Sequence, residues 1–191
     1  MERNIARVSL FAAMIAALGL VPQITLGFGV PITAQTLGVM LAGAVLGARR
    51  GAAAAGLFIL LVALGLPLLA GGRGGLGVFV SPTAGFALGF PVAAFFTGLF
   101  VERVRLRSAG LAAGLGAVFG GILVLYAMGA AGLAIVTGKS YLQALALVGV
   151  FIPGDLLKAA ITGMLVQALS RVRPQALAWH RTAGSAVNGR P

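Results

Sequence analysis

The 191-residue chain has no cysteine, one histidine, one tryptophan and three acidic residues, Glu2, Glu102 and Asp155. Without cysteine there is no disulfide framework and no thiolate chemistry. With so few His, Asp and Glu there is no metal-spaced ligand cluster and no carboxylate pair for acid–base catalysis. A Walker motif is also missing, so the chain does not hydrolyse ATP by itself. A serine hydrolase would need a base, and the single histidine, His180, sits in a polar tail. No enzyme activity and no cofactor are expected. Charge is scarce as well: 9% of residues carry it, against about 25% in a soluble domain.

What fills the chain instead is apolar surface: 60% hydrophobic residues and a mean hydropathy of +1.07. This excludes an ordinary soluble domain, a disordered chain and a fibrous one. It predicts one all-α integral membrane domain, with room for about six spans at ~20 residues each. The apolar runs are 8–24, 32–48, 52–70, 83–101, 109–126 (or a little longer) and 153–172. Each is too long for a barrel strand, and none alternates polar with apolar. Arg3 and Arg7 before an apolar stretch resemble a signal peptide. The hydrophobic character continues throughout, so that stretch is read as the first span.

A net charge of +11 suggests nucleic acid in a soluble protein. Here the basic residues stand singly or in twos and threes between apolar runs, so no nucleic-acid partner is expected. Eleven basic residues fall on the N-terminus, alternate connections and C-terminal tail, and two on the other connections, with Lys158 inside a span. By the positive-inside rule, both termini are expected in the cytoplasm. Residues 1–173 form the membrane domain, and 174–191 read as a mobile cytoplasmic tail.

Small residues recur at four-residue spacing: Ala12/Ala16, Ala13/Ala17, Gly110/Gly114 and Gly116/Gly120. Such pairs let helix backbones approach closely in lipid. They serve packing within the chain or docking of another membrane subunit, and the face bearing Ala12, Ala13, Ala16 and Ala17 is the better docking candidate.

The unusual polar residues gather on the side poor in positive charge. Asp155 and Lys158 lie at i and i+3 on one face near the start of the last span. A carboxylate accepts hydrogen bonds and an ammonium donates them, so the pair matches a ligand with N–H beside C=O, such as a urea or amide. A structural ion pair is the alternative, and a proton relay a remoter one. Gln35, Thr33 and Thr36 either line the same pocket or cap the second span. In the glycine-rich connection, Gly74 and Gly75 present backbone N–H groups to a ligand or form a simple turn. Arg73 holds an anionic ligand or is a solvated loop charge. Tyr126 and Tyr141 fit an aromatic belt better than ligand stacking.

Three stretches carry a family likeness: PITAQTLGVMLAGAVLG (31–47), GGRGGLGVFVSPTAGFALGF (71–90) and FIPGDLLK (151–158). In this order they resemble BioY, the biotin-specific substrate-binding (S) component of energy-coupling-factor (ECF) transporters, over residues 5–172. One departure is Ser81-Pro82-Thr83-Ala84-Gly85-Phe86, where the family more often has G-P-T-G-G-Y. The resemblance implies a six-helix S-component fold in the bacterial cytoplasmic membrane, with biotin bound near the external surface. It implies delivery through an ATPase pair and a coupling transmembrane protein docked on the alanine face of span one, although some members work without them. It places Asp155 and Lys158 at the ureido or another polar end of biotin, and the loop residues around Arg73 and Ser81 at the remainder.

Overall fold

The computed structural model describes residues 2–25, 27, 29–104 and 106–179. His180 and the rest of 180–191 lie outside the described residues, as do Met1, Leu26, Phe28 and Arg105. The described chain is almost wholly helical. Helix α1 (Glu2–Leu18) leads into a two-strand hairpin, β1 (Ile24–Thr25) and β2 (Pro31–Ile32), antiparallel with Ile24 opposite Ile32. Then follow α2 (Gln35–Leu46), α3 (Ala48–Ala63), a 3-10 turn at Leu76–Val80 and α4 (Ala84–Arg103). Helices α5 (Ala109–Val118) and α6 (Leu125–Thr137) join through a π turn at Phe119–Val124. Helices α7 (Tyr141–Val148) and α8 (Ile152–Val172) join through a 3-10 turn at Gly149–Phe151.

Three of these helical runs, Ala84–Arg103, Ala109–Thr137 and Tyr141–Val172, are long and apolar enough to cross a membrane. The last two extend well beyond the apolar runs read from sequence. At Pro153 the ring removes an N–H and crowds the carbonyl four residues back. The chain answers with one turn of 3-10 geometry rather than by leaving the helix, so the final run begins at Tyr141 instead of Pro153. Ser140 starts it with a capping box to Gln143.

Helix α2 has 12 residues, nearly all buried. At ~1.5 Å per residue it spans about 18 Å, well short of a hydrocarbon core of about 30 Å. The short helix leaves room at its N-terminal end, where β2 and the 64–83 connection converge. Its C-terminal end turns into α3 through Gly47 alone, at φ +78° and ψ −179°. Arg49 and Arg50, expected in a connection, therefore lie in the first turn of α3. The Glu102 carboxylate caps that turn by accepting the Ala48 N–H at 2.9 Å.

Helix α4 is central, packed against α2, α3, α5 and α6, while α5 lies along α8. A Cβ at Gly110 would stand 2.8 Å from the Gly163 carbonyl oxygen, so that glycine sets the α5–α8 approach. The alanines of α1 do not share a face: Ala12 is buried in the bundle, Ala16 half-buried, and Ala13 and Ala17 exposed. The expected four-alanine docking surface is thus divided, because i and i+1 point about 100° apart on a helix.

The chain remains packed beyond residue 173. Leu177 is buried, the Ala178 N–H donates to the Val45 carbonyl at 3.0 Å, and Trp179 Nε1 donates to the Ala44 carbonyl at 2.9 Å. Those carbonyls belong to the last turn of α2, which has no intrahelical donors for them.

Candidate functional site

A cavity of about 590 Å³, counting its open mouth, lies between the start of α2, the 64–83 connection, α4 and the start of α8. Its walls are mostly apolar: Val30, Ile32, Leu69, Phe86, Phe90, Leu125 and Phe151. Its polar lining is Thr33, Gln35, Thr36, Arg73, Thr83, Asp155 and Lys158. An apolar cleft with a few converging polar groups is the usual form of a small-molecule site.

Lys158 and Asp155 are 2.7 Å apart, Nζ to Oδ1. The ammonium also donates to the Thr33 carbonyl at 2.6 Å and to Thr36 Oγ1 at 2.8 Å, so its three protons have three partners. Thr36 Oγ1 in turn donates to Asp155 Oδ1 at 3.1 Å, and the Tyr126 hydroxyl donates to Asp155 Oδ2 at 2.8 Å. The carboxylate thereby accepts three bonds and keeps one lone pair free, out of about four. The network ties α8 to α2 and α6. Tyr126 is 6% exposed, which corrects its expected place in an interfacial belt. A phenol in an apolar helix seeks a buried acceptor, and Asp155 is the one within reach. Phe86, Tyr126 and Phe151 pack edge to face around it, with centroids 6.1–6.5 Å apart.

Gln35 does not cap α2. It is 1% exposed, donates to the Ile15 and Leu68 carbonyls at 3.2 and 3.0 Å, and accepts the Ala70 N–H at 3.0 Å. It fastens α1 and the 64–83 connection to the start of α2, while one side of it lines the cavity.

Arg73 lines the cavity and donates through Nη1 to Thr83 Oγ1 at 3.1 Å and through Nε to the Ala70 carbonyl at 3.3 Å. Burial pulls its pKa below the ordinary value, yet an arginine stays protonated in proteins. Ser81 donates to the Val78 carbonyl at 2.7 Å, so its 2.9 Å bond with Thr83 runs from the threonine. Among the described residues the single ion pair is Lys158–Asp155. Arg73 has no carboxylate partner, and the charged lining sums to one net positive charge.

Ser81, Gly74 and Gly75 do not line the cavity. The Gly75 N–H is taken by the Val62 carbonyl at 2.8 Å, and Gly74 lies tight against the Leu66 carbonyl. The glycines shape the connection that carries Arg73, and the Gly75 N–H is not free for a ligand. Phe86, Phe90, Phe151 and Leu125 carry no signal in the sequence, where each looks like any other residue of an apolar run. Thr83 lies in the 71–90 stretch, and only the folded chain shows it lining the cleft beside Arg73.

An almost wholly helical, apolar chain with such a cleft has the form of a solute-binding membrane protein, and the comparisons narrow the class. The sequence matches the BioY family over residues 2–175. It is 55% identical to the biotin transporter BioY of Rhodobacter capsulatus over 186 residues, 93% of this chain and 98% of that one. It is 53% identical to the biotin transporter BioY of Rhizobium etli, over 87% and 92% of the two chains. Its fold matches a crystal structure of the S-component for biotin from an ECF-type ABC transporter. That match has a TM-score of 0.82 at 30% identity and covers 88% of this chain and 91% of that one. The chain belongs to the BioY family, whose members are transporter components rather than enzymes.

Proposed function

We propose that this chain captures biotin and takes it up across the bacterial cytoplasmic membrane, as the substrate-binding subunit of an ECF transporter. The observation that carries the reading is a cleft with an Asp–Lys couple, aromatic walls and an arginine without a carboxylate partner. Biotin offers matching chemistry: a ureido ring, an apolar bicycle and a carboxylate tail. The free lone pair of Asp155 accepts a ureido N–H. Lys158 donates to the ureido carbonyl by giving up one of its protein partners. Phe86, Phe151 and Leu125 cover the bicycle, and Arg73 neutralises the carboxylate.

In this reading the helices make six spans with both termini cytoplasmic, supported by the segregation of basic residues. The cleft then opens outward. The coupling protein and its ATPase pair meet α1 on the side of Ala13 and Ala17, which are exposed and small. Calorimetric titration of the purified chain in detergent tests the reading. Saturable binding of biotin is expected, with no heat from other vitamins, and a flat biotin titration refutes it.

A further inference from the structure

We propose that the end of the bundle where α1 begins and α8 ends carries a seat for the phosphate of an anionic phospholipid, held by Arg3, Arg7 and Arg173. The first two turns of α1 and the end of α8 enclose an open basin of about 1280 Å³, well away in sequence from the cleft residues. Arg3 and Arg7 stand at i and i+4, on one face of α1. Arg173 approaches from the end of α8, and Asn4 and Gln175 add amide donors.

No acidic residue lines the basin, and among the described residues none of the three guanidiniums has an ion-pair or hydrogen-bond partner. Three cations brought together from two elements repel one another unless an anion sits between them. A guanidinium fork suits phosphate oxygens in particular.

The surroundings select a lipid over a soluble anion. Val172, which lines the basin, is 79% exposed. Leu10, at i+7 from Arg3 and i+3 from Arg7 on the same face of α1, is 66% exposed. A phosphate on the arginines has its acyl chains beside these residues, whereas a free phosphate or an acidic peptide leaves them uncovered. Basic pockets between helix ends at a membrane face are suited to lipid headgroups.

The test is thermal melting of the full chain in neutral detergent with added dioleoylphosphatidylglycerol, dioleoylphosphatidylcholine or inorganic phosphate. Phosphatidylglycerol raises the melting temperature saturably, and the other two do not. The triple variant Arg3→Gln/Arg7→Gln/Arg173→Gln binds it about a hundredfold more weakly, taking the charge contributions as additive. The corresponding triple lysine variant keeps part of the response, and Arg107→Gln, outside the basin, keeps all of it. An equal response to phosphatidylcholine, reproduction by phosphate alone, or an unchanged response in the triple glutamine variant overturns the proposal. If that variant fails to fold, native mass spectrometry of the wild-type chain decides: preferential retention of phosphatidylglycerol over phosphatidylcholine supports the site, and equal loss overturns it. Biotin titration reads the separate cleft, so either proposal stands or falls without the other.

Discussion

Tyr126 reaches Asp155 across 29 positions of sequence, donating its hydroxyl to Oδ2 at 2.8 Å. That bond joins α6 to α8 and orients the carboxylate that also holds Lys158. Tyr126→Phe leaves a buried acceptor short of one donor, at a cost of about 1–3 kcal/mol. The expected outcome is a lower melting temperature in detergent and weaker biotin binding. An unchanged melting temperature would show that water replaces the phenol.

Asp155→Asn and Lys158→Ala each remove half of a mostly buried couple. Biotin affinity is expected to fall about tenfold or more in each, as for loss of a hydrogen bond to a charged group. Stability is expected to fall too, by about 3 kcal/mol, since the remaining charge has lost its partner. Titration and melting separate the two effects, and wild-type affinity in both variants refutes the assignment.

Arg73→Gln tests which end of the ligand meets the 64–83 connection. If the guanidinium holds the carboxylate, biotin binds about tenfold or more weakly to the variant, while biotin methyl ester binds both proteins alike. Equal losses for acid and ester would place Arg73 elsewhere on the ligand or in the scaffold.

Gly47→Ala probes the turn between α2 and α3. At φ +78° and ψ −179° the backbone is in a region essentially reserved for glycine, and an added Cβ runs into the Glu102 carboxylate that caps α3. Destabilisation of at least about 1–3 kcal/mol is expected. Circular dichroism melts of the variant, with Glu102→Ala as the companion, measure it.

The sequence alone carried a good deal. Its hydropathy and its poverty in charge pointed to a membrane chain, and the i, i+3 spacing put Asp155 and Lys158 on one helix face, where the structure pairs them. These are local properties, legible because helical geometry relates near neighbours without reference to the rest of the fold.

Rotation and end-to-end contact were left to the tertiary structure. Helices α2, α4 and α6 are apolar nearly all round, so no stripe marks the inward face. Nothing in the one-dimensional pattern could turn Tyr126 inward, or send Gln35 to the carbonyls of Ile15 and Leu68. It also could not show that Gly75 spends its N–H on Val62. In each case a polar group in an apolar surrounding had to find a partner, and which partner lay within reach depended on how the helices packed.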